Sequence, residues 1–167
     1  ESREALKRCA GQILRRALRE APNVATLNRV FGIFRQLGIF DETIKADEYR
    51  LIRVAVASGV MPYAAIKQAV GNYAAIEKKV LEAKECLALD SAVRANCPAM
   101  LAEIVAAYKK HDMLDKALRA RDFSSFVCAV EYQNVSAAHL YQSQGLLSDA
   151  LRADNHQVFA KAMEIAD

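Results

Sequence analysis

Breakers are scarce: the chain has six glycines and three prolines in 167 residues. That scarcity excludes collagen-like and low-complexity classes, and a 53 % hydrophobic fraction beside 26 % charged residues excludes a disordered composition. No run of eighteen apolar residues occurs, so no segment is expected to span a membrane. No signal-peptide pattern opens the chain. It begins at Glu1 rather than Met, which reads as a fragment, so an address signal could have preceded it.

Cysteine is sparse and irregular. Cys9, Cys86, Cys97 and Cys128 match no CxxC pair and no zinc-ribbon spacing, and only Cys86 and Cys97 are close enough in sequence to suggest a bridge. They read as small apolar residues of a reducing compartment, which implies an intracellular setting, the cytoplasm or the mitochondrial matrix. Chemistry-bearing motifs are missing as well: no GxGxxG, P-loop, HExxH, GxSxG, calcium loop or Glu-x-x-His pair. His111, His139 and His156 are the candidates for acid-base work, but only His111 has nearby carboxylates, Asp112 and Asp115. His111 falls at an expected helix end, where the dipole favours a cation. No catalytic residue, metal, cofactor or small-molecule substrate is therefore expected.

What is present is helical periodicity. The length suits a single α-helical domain, 1–167, with enough chain to bury a core without staples. Residues 1–21 place Leu6, Ala10, Leu14 and Leu18 opposite Arg15, Arg16 and Arg19, a basic amphipathic helix ended by Pro22-Asn23. This stretch holds six basic groups against three acids, leaving the rest of the chain with seventeen of each sign. A nucleic-acid or acidic-surface contact would use this helix first.

A helical hairpin is predicted over 24–60, with Gly38 at its turn, Asp41 as a cap and Gly59 at its end. Ile52, Val54 and Val56 also fit a short buried strand, but no partner strand is evident. Pro62 opens a predicted long helix over 62–87, in which Ile66, Tyr73, Ile76 and Val80 belong to a 3,4-spaced seam. Such a helix would run roughly 38 Å at 1.5 Å per residue. Glu77, Lys78, Lys79, Glu82, Lys84 and Glu85 read as its salt-bridged solvent face. A short helix from about Asp90 and a proline-led start at Pro98 open the last region, 90–167, predicted as repeat-like helical hairpins.

The chain also resembles itself. Setting Tyr108 on Tyr141 brings Leu114 onto Leu147, Ala117-Leu118-Arg119-Ala120 onto Ala150-Leu151-Arg152-Ala153, and Phe126 onto Phe159 without a gap. Ala129 meets Ala162 and Glu131 meets Glu164 in the same register. Weaker echoes occur at Asp41–Ala46, with Phe34 in the tyrosine's place, and at Asp90–Ala95. An aromatic nine residues before a small residue, as in Tyr108 with Ala117 and Phe34 with Thr43, lets two helices approach closely. One hairpin cannot bury its own apolar face, so copies are expected to stack.

The aromatic, the turn residue (Gly38, Asp112 or Gly145) and the following small residue resemble the tetratricopeptide and pentatricopeptide repeat families over about 24–60 and 98–167. The second helices depart from the tetratricopeptide pattern, with Arg121 and Ser124 in one copy and Asp154 and Gln157 in the other. The resemblance implies an all-α fold of stacked helical hairpins, a short solenoid or irregular bundle with one long helix near 63–87. The degenerate repeat, the neutral body and the missing chemistry point to a non-enzymatic scaffold or adaptor holding a partner helix or peptide, as a subunit of a larger complex. The 3,4-spaced seam of Ile66, Tyr73, Ile76 and Val80 is expected either to pack against the chain's own helices or to serve as the partner-binding seam. The alternative the resemblance implies is an RNA-associated, pentatricopeptide-like protein, organellar in setting. Phosphates would then be gripped by Arg15, Arg16, Arg19 and Arg29. Arg29, Glu103 and Ser136 would stand at the base-reading positions, though their types form no coherent code.

Overall fold

The computed structural model describes residues 2–153, and every regular element among them is helical. In chain order these are α1 (Ser2–Glu20), α2 (Val24–Gln36), α3 (Phe40–Ala57), α4 (Tyr63–Val70), α5 (Glu77–Arg94), α6 (Pro98–Lys110), α7 (Leu114–Glu131), α8 (Val135–Ser143) and α9 (Leu147–Ala153). Among the described residues no helix is long and apolar enough to cross a membrane. Phe159, Ala162, Glu164 and His156 lie outside the described residues, as do Asp154 and Gln157.

Helix α1 follows its pattern, with Ala10, Leu14 and Leu18 buried and Arg15, Arg16 and Arg19 exposed. Asn23 caps α2 by accepting the Thr26 N–H at 2.8 Å, and Asn134 caps α8 by accepting that of Ala137 at 3.0 Å. The turns after α2, α6 and α8 close alike. In each, an N–H five residues beyond the aromatic returns to the aromatic's carbonyl: Ile39 to Phe34, Met113 to Tyr108 and Leu146 to Tyr141, at 3.0, 2.9 and 2.9 Å. This closure needs a left-handed residue one place earlier, supplied by Gly38, Asp112 and Gly145 with φ of 63°, 54° and 69°. Thr43, Ala117 and Ala150, nine residues after the aromatics, are all buried.

The helix predicted over 62–87 is not continuous. Helix α4 stops at Val70, Gly71 adopts φ 77°, a 3-10 turn spans Tyr73–Ala75, and α5 begins at Glu77. Gly71 ends α4 because only glycine takes that backbone region without cost. The helix predicted from about Asp90 is the second half of α5. Asp41 lies in the first turn of α3, whose cap position is Ile39, and Ile52, Val54 and Val56 are helical.

A break that the periodicity conceals recurs inside α3, α5 and α7. Ala46, Ala83 and Ala120, successive positions thirty-seven residues apart, have extended backbones with ψ of 143°, 133° and 142°. Each is followed by three left-handed residues: Asp47-Glu48-Tyr49, Lys84-Glu85-Cys86 and Arg121-Asp122-Phe123. Left-handed backbone costs a non-glycine residue roughly 1–2 kcal/mol, so neighbouring groups must stabilise these turns. They do so through the carbonyls the break sets free. Arg53 Nε donates to Glu48 O at 2.9 Å, and its Nη2 donates to Asp47 O. Tyr108 Oη donates to Leu81 O and Cys86 O at 2.9 and 3.2 Å, and Tyr141 Oη donates to Leu118 O at 2.9 Å.

Helix α3 packs between α1 and α5, α5 between α3 and α7, and α9 rests on α7. Helix α2 packs on α4, and α4 on α6. A connected apolar core runs through these contacts and includes Leu14, Phe31, Ile52, Leu81 and Tyr108.

Candidate functional site

The residues predicted as a partner-binding seam are covered by the chain's own helices. Ile66, Tyr73 and Val80 are buried and Ile76 packs half-buried against the same core. Tyr73 and Tyr63 share a hydroxyl-hydroxyl hydrogen bond, and their rings meet edge-on at 5.8 Å. Burial pushes both phenols above their ordinary range. The seam is therefore an internal contact and presents no groove to a second chain.

The charged stretch of α5 is also rearranged. Glu77, expected on the solvent face, is 3 % exposed and faces Lys110 at 2.7 Å, His111 Nε2 at 2.9 Å and Lys67 at 3.7 Å. Burial works to raise its carboxyl, but the hydrogen bonds from Lys110 and His111 and the Lys110 and Lys67 charges hold it below the ordinary value. Glu82 pairs with Lys116 at 3.7 Å and Lys84 with Asp47 at 2.8 Å, so these charges join neighbouring helices instead of running along their own. His111 sits at the end of α6, and His139 is exposed on α8. The four cysteines are free thiols, with Cys86 and Cys128 buried.

The predicted arginines separate into two sets. Arg16 pairs with Glu20 at 3.0 Å, and Arg29 is exposed on α2. Glu103 accepts the Ala64 N–H at 2.9 Å, a structural role that removes it from base reading, and Ser136 is exposed on α8. Arg15, by contrast, lines a groove across α1, α3 and α5, together with Arg50, Arg53, Arg94, Asp47 and Asp90.

The two acids in that groove are engaged by cations. The Lys84 ammonium hydrogen-bonds Asp47 and holds its carboxyl below the ordinary range. Asp90, 3 % exposed, accepts hydrogen bonds from Arg121, Ser124 and Ser125 of α7. Arg53 is fixed on its break carbonyls, and Arg94, itself exposed, reaches the Cys128 thiol through Nε at 3.4 Å. Arg50 and Arg53 also lie 3.7 and 4.0 Å from Asp47, so four guanidinium groups share two carboxylates that Lys84 and Arg121 engage as well. The groove carries a positive excess.

At Arg15 the groove meets a second hollow of about 400 Å³ between the carboxy-terminal turns of α1 and α3. Leu18 and Val54 lie buried in it, Pro22, Ala57 and Val60 are exposed beside them, and Arg19 joins Arg15 at the edge. Arg15, Val54 and Ala57 line both spaces.

No family model, curated protein or solved structure matches this chain. Its function must be argued from the groove itself. Sequence reasoning found Arg15 and Arg19 but missed Arg50, Arg53 and Arg94. The available signal was the thirty-seven-residue spacing of Ala46, Ala83 and Ala120, each two places after a Thr43-Ile44, Val80-Leu81 or Ala117-Leu118 pair. That register sets Arg53 and Asp90 at corresponding places after successive breaks.

Proposed function

We propose that the chain is a non-enzymatic helical-repeat module that holds single-stranded RNA by its sugar-phosphate backbone. The observation that carries this reading is the groove in which Arg15, Arg50, Arg53 and Arg94 surround two already partnered carboxylates. Guanidinium groups present several donors in a fixed fork that matches phosphate oxygens. The neighbouring order of α1, α3, α5 and α7 and the recurring aromatic turns support a short solenoid of paired helices, the arrangement to which the tetratricopeptide and pentatricopeptide resemblance points.

The test is a salt titration with a fluorescent single-stranded RNA of mixed sequence. Affinity is expected to fall linearly in log salt, with a slope near −0.7 for each phosphate contacted, hence about −2 to −3 in total. Replacing Arg15, Arg50 and Arg94 together by Ala is expected to lower affinity at least tenfold and flatten the slope, while Arg16→Ala and Arg29→Ala leave it nearly unchanged. Retention of affinity and slope in the triple variant would overturn the reading.

A second reading, a scaffold that holds a partner protein's helix or peptide within a larger complex, is favoured by one feature. Tyr132 and Val135 stand 45 % and 64 % exposed at the turn between α7 and α8. An apolar contact there would barely respond to salt, unlike phosphate binding.

A further inference from the structure

We propose that the hollow between the ends of α1 and α3 seats one unstacked base of the bound strand, so that the groove takes phosphates while this hollow takes a base. The inference rests on the RNA reading and adds a second kind of contact to it. Three observations converge.

The hollow, about 400 Å³, falls within the size of a small-ligand site, and Leu18, Val54 and Val60 give it an apolar surface. Arg15 belongs to both the hollow and the groove, so a phosphate held by Arg15 puts the next base at the hollow's mouth. Arg19 stands at the same edge, and a guanidinium plane is a stacking surface for a splayed base.

The third observation decides which part of a nucleotide enters. Both helices present their carboxy-terminal turns here, through Leu18 to Pro22 on one side and Val54 to Ser58 on the other. Helix ends of this polarity carry partial negative charge. The Val54, Ala55 and Val56 carbonyls of α3 already accept the Ser58 and Gly59 N–H groups, whereas on α1 Pro22 has no N–H to offer the Leu18 carbonyl. The negative ends repel a phosphate, and the Leu18 carbonyl suits an N–H group on the edge of a base. An anionic group is thus directed to the arginines, and the neutral heterocycle to the apolar surface.

The test compares a single-stranded RNA with an abasic strand of the same length and backbone, on wild-type protein and on Ser58→Leu and Val60→Ser. Ser58 and Val60 line the hollow and not the groove. A leucine at 58 fills the hollow, and the Ala55 carbonyl that loses the Ser58 hydroxyl keeps the Ser58 N–H. Val60→Ser removes apolar surface from an exposed position. Wild type is expected to bind the base-bearing strand at least fivefold more tightly than the abasic one, with equal salt slopes. Ser58→Leu is expected to abolish that difference and Val60→Ser to reduce it, with abasic affinity unchanged in both. Equal wild-type affinity for the two strands, with salt dependence intact, would overturn the base site and leave the phosphate groove standing. A preference that survives Ser58→Leu would also overturn it. Failure of both strands to bind would remove the RNA reading and this inference together.

Discussion

The first and third helix breaks share a backbone but are held by different neighbours. In α3, Arg53 turns back onto the carbonyls of its own break at Asp47 and Glu48. Thirty-seven residues on, the corresponding position in α5 is Asp90, which reaches forward to Arg121, Ser124 and Ser125 around the break in α7. Arg53 thus serves the freed carbonyls directly, whereas Asp90 holds side chains in and just after the α7 break, and Tyr141 serves the Leu118 carbonyl there. The difference has a functional side, because the first arrangement leaves arginines along the groove while the second draws Arg121 into an internal pair.

The comparison breaks most sharply at Asp90. Asp90→Ala leaves the Arg121 guanidinium without its counter-ion and is expected to cost about 2–3 kcal/mol, less than a fully buried pair because Arg121 is 30 % exposed. A urea midpoint that falls at constant slope would show it, and a loss under 0.5 kcal/mol would mean the third break is held by something else. Arg53→Met is expected to cost less, about 1–2 kcal/mol, since it orphans two carbonyls near the surface.

The second comparison lies between Tyr108 and Tyr141. Each phenylalanine substitution removes a buried hydroxyl donor and is expected to cost about 1–2 kcal/mol; the single Tyr108 proton is shared between the Leu81 and Cys86 carbonyls, so the two variants are expected to cost about the same. Equal midpoints for Tyr108→Phe and wild type would show that these hydroxyls do not hold the breaks.

Glu77 offers a pH-dependent version. Its folded carboxyl sits below the ordinary value of 4.5, so its contribution is complete above that pH and fades as pH falls through the folded value. Wild type is expected to exceed Glu77→Gln by about 1 kcal/mol at pH 7, with the gap closing below about pH 4.5. A gap that grows in acid would reverse the assignment. The smallest effect is at the turn before α8, where Gln133 holds φ 51°. Gln133→Gly is expected to raise stability by about 0.5–1 kcal/mol, read as a rise in Tm.

Much of the helix layout is legible in the sequence. Leu14, Leu18, Phe31 and Phe34 reveal buried faces through 3,4 spacing, and Gly38, Asp112 and Gly145 mark turns through the chemistry of left-handed caps. The breaks at 46–49, 83–86 and 120–123 are not legible, because Asp-Glu-Tyr, Lys-Glu-Cys and Arg-Asp-Phe are ordinary helical triplets whose left-handed state depends on distant donors and acceptors. The seam at Ile66, Tyr73, Ile76 and Val80 left two covers open, the chain's own helices or a partner, for a related reason. Periodicity reports that a face is covered and is silent on whether the cover comes from the same chain. One of the four groove arginines, Arg15, was visible, and Arg19 at the adjoining hollow; Arg50, Arg53 and Arg94 required knowing that α1, α3 and α5 are neighbours.

The unequal lengths of α6 and α8 bear on how such a chain tolerates change. Helix α6 has thirteen residues and α8 nine, a difference close to one helical turn, and it falls before Tyr108 and Tyr141. Dropping a whole turn shortens the rod but returns the tyrosine to nearly the same azimuth, so it still meets the carbonyl of the preceding helix. Insertions and deletions of three or four residues at this place therefore keep the tyrosine facing its acceptor, whereas a loss of two would swing it away.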